Sequence, residues 1–112
     1  MLILDGAGGY TAPGPGTLSS WAEHFRAHDL SVGTYSLPRG GTDEQEPHSE
    51  DEVYVVTRGR ALLVAGDQVT PVGPGTVAYV PAGEAHRFTD ITEDLAVLVF
   101  FAPAEYSRRP PG

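Results

Sequence analysis

Three side chains stand out for the chemistry they could do. His48 and Glu52 lie four residues apart in "EPHSEDEVYVVTRG" (46–59), and His86 sits in "AGEAHRFTD" (82–90). The first segment sets acidic residues directly against a run of alternating apolar ones. An extended chain shows alternate residues to opposite faces, so Glu46, His48, Glu50, Glu52, Tyr54 and Val56 share one face, with the count firmest from Glu52 onward. His86, Phe88 and Asp90 share parity in the same way. Two histidines and one glutamate from separated strands would then converge in a barrel mouth. A buried, unpaired Glu52 would carry a large desolvation cost or take up a proton. A divalent cation removes that cost and uses two neutral imidazoles, and it keeps open positions for small-molecule chemistry. Imidazole with carboxylate suits zinc, iron, manganese, nickel or copper alike. Ser49, Glu50 and Asp51 read as solvated. The competing reading is a solvated acidic loop that holds no ion.

The elements that must position these groups are short. Residues 1–29 form an irregular Gly/Pro-rich arm, "TAPGPGT" included, followed by a possible short helix at "SSWAEHFRAHDL". In that helix Trp21, Phe25 and Ala22 would form the buried stripe, while His24 and His28 would share a surface face without the third ligand a metal site needs. Residues 30–103 read as strands punctuated by Gly and Pro: "LSVGTYSL", "EVYVVTRGRALLVAG" as two strands around Arg58-Gly59, "QVTPV", "GTVAYVPAG", "HRFTDI" and "LAVLVFFAP". Many short strands at regular spacing predict an all-β sandwich or barrel. Residues 104–112, "AEYSRRPPG", read as a loosely held polar tail.

Composition narrows the function classes. The 112 residues suffice for one core, and the absence of cysteine excludes disulfides, zinc–thiolate sites and cysteine nucleophiles. A net charge of −8, with Arg108-Arg109 as the only basic doublet, argues against nucleic-acid binding. The start "MLILDGAGGY" lacks the pattern of a secretory signal, and no window has the length of a membrane span, so a cytoplasmic location is expected. The glycines of "DGAGG" lack the strand and helix of a dinucleotide fingerprint, and no serine has the glycine-flanked turn of a hydrolase nucleophile.

The motifs resemble those of the cupins. The first cupin motif runs glycine, five residues, His-x-His, three or four residues, glutamate, six residues, glycine; here His48, Glu52 and Gly59 match its downstream half. The second motif is matched by Gly75, Pro81, Gly83 and His86, with Asp90 in place of the final asparagine. The resemblance implies an all-β double-stranded β-helix, or jelly-roll barrel, of six to eight strands with a metal near its mouth. By position it implies His48, Glu52 and His86 as ligands. Glu46 occupies the place of the missing first histidine and is the expected fourth ligand; Gln45 substitutes if the loop shifts by one, or water fills the place. The motif's leading glycine falls at Gly40, beside Gly41. The resemblance also implies a homodimer, for which the N-terminal arm offers a cover to an open sheet edge.

Tyr35, Tyr54, Val56, Tyr79 and Phe88 are the candidate lining of a pocket above the metal, suited to a small, partly apolar organic ligand. Three functions follow: a small metalloenzyme of oxygenase, isomerase, lyase or epimerase type; a non-catalytic binding or sensing module; or a metal-free structural barrel. The site favours the first.

Overall fold

A computed structural model describes residues 1–109. Among the described residues, eight strands make up the regular structure: β1 (Ser20–Arg26), β2 (Ser31–Leu37), β3 (Asp51–Arg58), β4 (Ala61–Ala65), β5 (Gln68–Val72), β6 (Val77–Val80), β7 (His86–Thr89) and β8 (Leu95–Ala102). All the observed pairings are antiparallel. One sheet has the order β1-β2-β8-β3-β6 and the other β5-β4-β7. This is the all-β double-stranded β-helix that the strand spacing and motifs lead one to expect.

The core follows from strand parity. Tyr54 and Val56 of β3, Leu95, Val97, Val99 and Phe101 of β8, and Leu37 of β2 turn inward to meet Leu63 of β4 and Phe88 of β7. β8 lies between β2 and β3, and its near-continuous apolar run reflects that central place. β2 is buried on both faces for a different reason. The N-terminal arm crosses its outer side, where Gly8 donates its N–H to Thr34 Oγ1 (2.8 Å) and Thr11 donates to Ser36 Oγ (3.1 Å). Thr57 Oγ1 of β3 donates back to the Gly8 carbonyl (2.5 Å). The arm therefore packs on its own sheet.

The segment expected as a possible short helix is strand β1; the described residues contain no helix. Its apolar residues do not alternate cleanly because a bulge between Glu23 and Phe25 breaks the register against β2. Trp21 pairs with Tyr35 and lies over Gly33, where a Cβ would meet the indole ring at 2.3 Å. A glycine on the neighbouring strand thus makes the slot for the tryptophan. His24 contacts Thr34 Oγ1 at 2.6 Å, and His28 is exposed.

The tail also differs from the expectation. Ala104 and Glu105 are buried, and the chain folds back across the barrel mouth. Glu50, expected in solvent, is fully buried because it anchors that tail: its Oε1 accepts the Tyr106 N–H (2.5 Å) and its Oε2 the Arg108 N–H (3.0 Å). Tail residues 110–112 lie outside the described residues.

Candidate metal centre

The site lies where the two sheets meet at one end of the barrel. Glu52 points inward from the second position of β3, across from Val80 of β6 and Phe101 of β8. His86 opens β7 on the opposite sheet. His48 belongs to the loop between β2 and β3. The β6–β7 turn holds that loop in place: Gly83 donates its N–H to the His48 carbonyl (2.8 Å), and Ala82 donates to Asp51 Oδ1 (2.9 Å). Asp51, expected to be free in solvent, is therefore part of the clamp that joins the two motif segments.

His48, Glu52 and His86 each offer one ligand atom within 4.8 Å of the others. His48 Nδ1 is 2.7 Å from Glu52 Oε1, and His86 Nε2 is 3.3 Å from that same oxygen. Donors placed about 2.0–2.2 Å from a shared tetrahedral ion would stand roughly 3.3–3.6 Å apart, which the His86–Glu52 separation matches and the shorter His48–Glu52 one undercuts. Hydrogen bonding alone does not account for the cluster. Both Glu52 oxygens and His48 Nδ1 are buried without a hydrogen-bond partner, so the 2.7 Å approach is close but misaligned as a donor–acceptor pair. Removing a carboxylate from water without any donor is costly, and a cation at the point of convergence meets that cost.

Both imidazoles are oriented as a metal site requires. His86 Nδ1 donates to the Glu84 carbonyl (2.8 Å), so in the neutral ring Nε2 carries the lone pair that faces Glu52. His48 Nε2 meets Glu105 Oε2 at 3.1 Å, which turns Nδ1 toward Glu52. A carbonyl or carboxylate on the far nitrogen is the usual support of a metal-bound histidine. Without an ion, burial works against a charged His48, yet the Glu105 and Glu52 carboxylates outweigh it and raise its pKa to about 9.

Gln45 completes the ring of acceptors. Its Nε2 donates to Asp43 Oδ2 (2.6 Å), leaving Oε1 to face His86 Nε2 at 3.1 Å and to accept the Tyr54 hydroxyl at 3.1 Å. Asp43, 5 % exposed, also accepts the Phe88 N–H (2.8 Å) and the Tyr35 hydroxyl (2.6 Å). Burial first, then the Glu52 charge, push the Tyr54 pKa well above its ordinary value and keep the phenol neutral. Glu46, expected as the fourth ligand, is exposed at the rim and outside the three-residue cluster. The loop presents Gln45 to His86 instead, a shift of one residue from the motif count.

A cavity of about 580 Å³ opens beside the cluster. Tyr35, Tyr54, Trp21, Val99 and Phe101 form its wall, with Glu44, Glu46, Tyr106 and Arg109 also lining it. Tyr35 and Tyr54, two of the expected lining residues, are among its walls. Val56 and Phe88 are packed in the core, Phe88 against the Tyr54 ring at 5.2 Å between centroids. Tyr79 is 63 % exposed and turned away from the cavity. It pairs with Val53 on the outer face of β6, whereas Val80, opposite Glu52, is the inward neighbour. Sequence reasoning missed Glu105 and Asp43; neither stands in a periodic pattern or a motif position.

Residues 33–101 match the cupin domain family, and the chain belongs to that family. An uncharacterized protein of Streptomyces coelicolor is 50 % identical over 86 residues, which cover 77 % of this chain and 82 % of that one. An oxalate decarboxylase of Arthroderma benhamiae is 29 % identical over 87 residues, 73 % of this chain; the match spans 20 % of that longer protein. A cupin from Methanocaldococcus jannaschii with a double-stranded β-helix fold superposes with a TM-score of 0.67 at 20 % identity, covering 84 % of this chain and 88 % of the other. The last likeness concerns the fold alone.

Proposed function

We propose that the protein holds one divalent ion through His48, Glu52 and His86 and acts as a small metalloenzyme on an organic metabolite bound in the adjoining cavity. The observation that carries this reading is the set of buried, unpartnered atoms, His48 Nδ1 and both Glu52 oxygens, aimed at one point. Zinc, iron, manganese, nickel and copper all suit this donor set. When bound, such an ion supplies a Lewis acid that polarises an oxygen of the ligand or of water. Three protein ligands leave positions open to the ligand, the arrangement that separates catalytic from structural sites. The chain's own contribution is to orient the ligands and to keep water from the apolar wall formed by Trp21, Val99 and Phe101. Oxygenase, isomerase, lyase and epimerase chemistry all fit that frame.

Charge bears on the substrate. Glu44, Glu46, Glu52 and Glu105 line the cavity, and among the described residues Arg109, lying 5.1 Å over the Tyr106 ring, is the one basic side chain there besides His48. A small dianion such as oxalate meets several carboxylates and one guanidinium, so a neutral or weakly charged organic molecule fits better. The test has two parts. Metal analysis of protein purified without chelator should give roughly one ion per chain, lost in His48→Ala and His86→Ala. The metal-loaded chain should turn over a member of a metabolite panel, and His48→Ala should not. Metal-free protein that cannot be loaded would overturn the metal reading; a loaded chain that binds a panel compound without converting it would make the cavity a binding site.

A further inference from the structure

Resting on that reading of the metal centre, we propose that Glu105 of the C-terminal tail is the positioning residue for His48, so that tight metal binding depends on the tail being docked across the barrel mouth. The cupin motifs end at Asp90, and nothing in their spacing reaches this residue.

Glu105 follows β8 by three residues and is held in place from several directions. Its N–H donates to Ser31 Oγ (2.8 Å), and its carbonyl accepts from Arg26 Nη1 (2.8 Å). The next residue, Tyr106, donates its N–H to the buried Glu50. These contacts leave the Glu105 side chain 10 % exposed, with Oε2 3.1 Å from His48 Nε2. The His48 ring is also gripped on its faces, by Phe101 at 4.7 Å and by a stacked Tyr106 at 5.7 Å between centroids. In the neutral ring that a bound ion requires, the carboxylate accepts the Nε2–H, which fixes the tautomer in which the Nδ1 lone pair is directed at the ion. His86 obtains the same orientation from the Glu84 carbonyl, a group supplied by its own turn. His48 sits on a loop and, among the described residues, has no such carbonyl; its acceptor arrives from 57 residues away in the chain.

The experiment titrates the metal-free full chain with Co²⁺ and Zn²⁺ against a competing chelator and records the Co²⁺ ligand-field spectrum. Glu105→Ala should bind about 10- to 100-fold more weakly than the native chain and show an altered spectrum. Glu105→Gln, whose amide oxygen accepts the same N–H without the charge, should fall between the two. A purely structural role would lower the melting temperature of the metal-free protein without this graded change in affinity and spectrum. Affinities for both variants within about twofold of the native value, with an unchanged spectrum, would overturn the proposal. His48→Ala serves as the reference: if it binds metal like the native chain, the centre itself is misassigned and Glu105 has no ligand to position. Should Glu105→Ala fail to fold, Glu105→Gln decides, with weakening of at least about threefold expected and none contradicting.

Discussion

At the residue scale, the centre sets buried acceptors against one another, so positive charge is called for among them: a metal ion or, without one, the second proton of His48. Glu52 is 1 % exposed, and neither of its oxygens has a well-aligned hydrogen-bond donor. Without an ion, the raised pKa of His48 keeps an imidazolium against Glu52 at neutral pH, so metal-free Glu52→Gln should melt lower than the metal-free native chain, by about 1–3 kcal/mol of stability. The same substitution should abolish the gain in melting temperature on adding Zn²⁺. Calorimetry of both forms with and without metal reads the two effects, and an equal loss of stability in each form would count against a cation site. The inward direction of Glu52 was readable from period-two alternation, since β3 begins at Asp51 and keeps its register to Val56. Gln45 was harder to place, because an irregular loop has no period and the motif count pointed one residue further on.

At the element scale, the site depends on connections more than on strands. The strands from Leu30 to Pro103 were legible because Gly and Pro mark their ends, as at Arg58-Gly59 between β3 and β4. Gly59 has φ +87, and a Cβ there would lie 2.2 Å from the Asp94 carbonyl oxygen. Gly59→Ala should cost at least about 1–3 kcal/mol in denaturant melts. Strand β1 and the tail were misjudged for opposite reasons. A bulge hid the alternation of β1, and the polar composition of "AEYSRRPPG" gave no sign that a buried carboxylate would pin it. Burial raises the Glu50 pKa, but the Ser49 hydroxyl and the Tyr106 and Arg108 N–H groups together bring it below its ordinary value. A lowered carboxylate stabilises the fold above its unfolded pKa of about 4.5, and that contribution disappears as pH falls through the still lower folded value. The protection factors of the Tyr106 and Arg108 amides, corrected for intrinsic exchange, should accordingly fall below about pH 4.5 in the native chain. Glu50→Gln should exchange faster at neutral pH and show less acid dependence; identical profiles for the two would contradict the anchor.

For the whole molecule, the family follows from residues 33–101, and the particular chemistry lies in what surrounds the motif residues. Among the described residues no helix is long and apolar enough to cross a membrane. The edge strand β6 carries exposed Val77 and Tyr79, while the N-terminal arm is engaged with its own sheet. Pairing of two chains is predicted through that open edge, not through exchange of the arm. Sedimentation at micromolar concentration should give the mass of a dimer, reduced to a monomer by Val77→Lys with Tyr79→Lys; a single-chain mass for the native protein would contradict it. The central claim is tested most directly by anomalous diffraction from crystals of protein prepared without chelator. One peak is predicted, about 2.0–2.3 Å from a ring nitrogen of His48, a ring nitrogen of His86 and an oxygen of Glu52. A map from metal-supplemented crystals with no peak among these three side chains, or with the ion held by other residues, would contradict it.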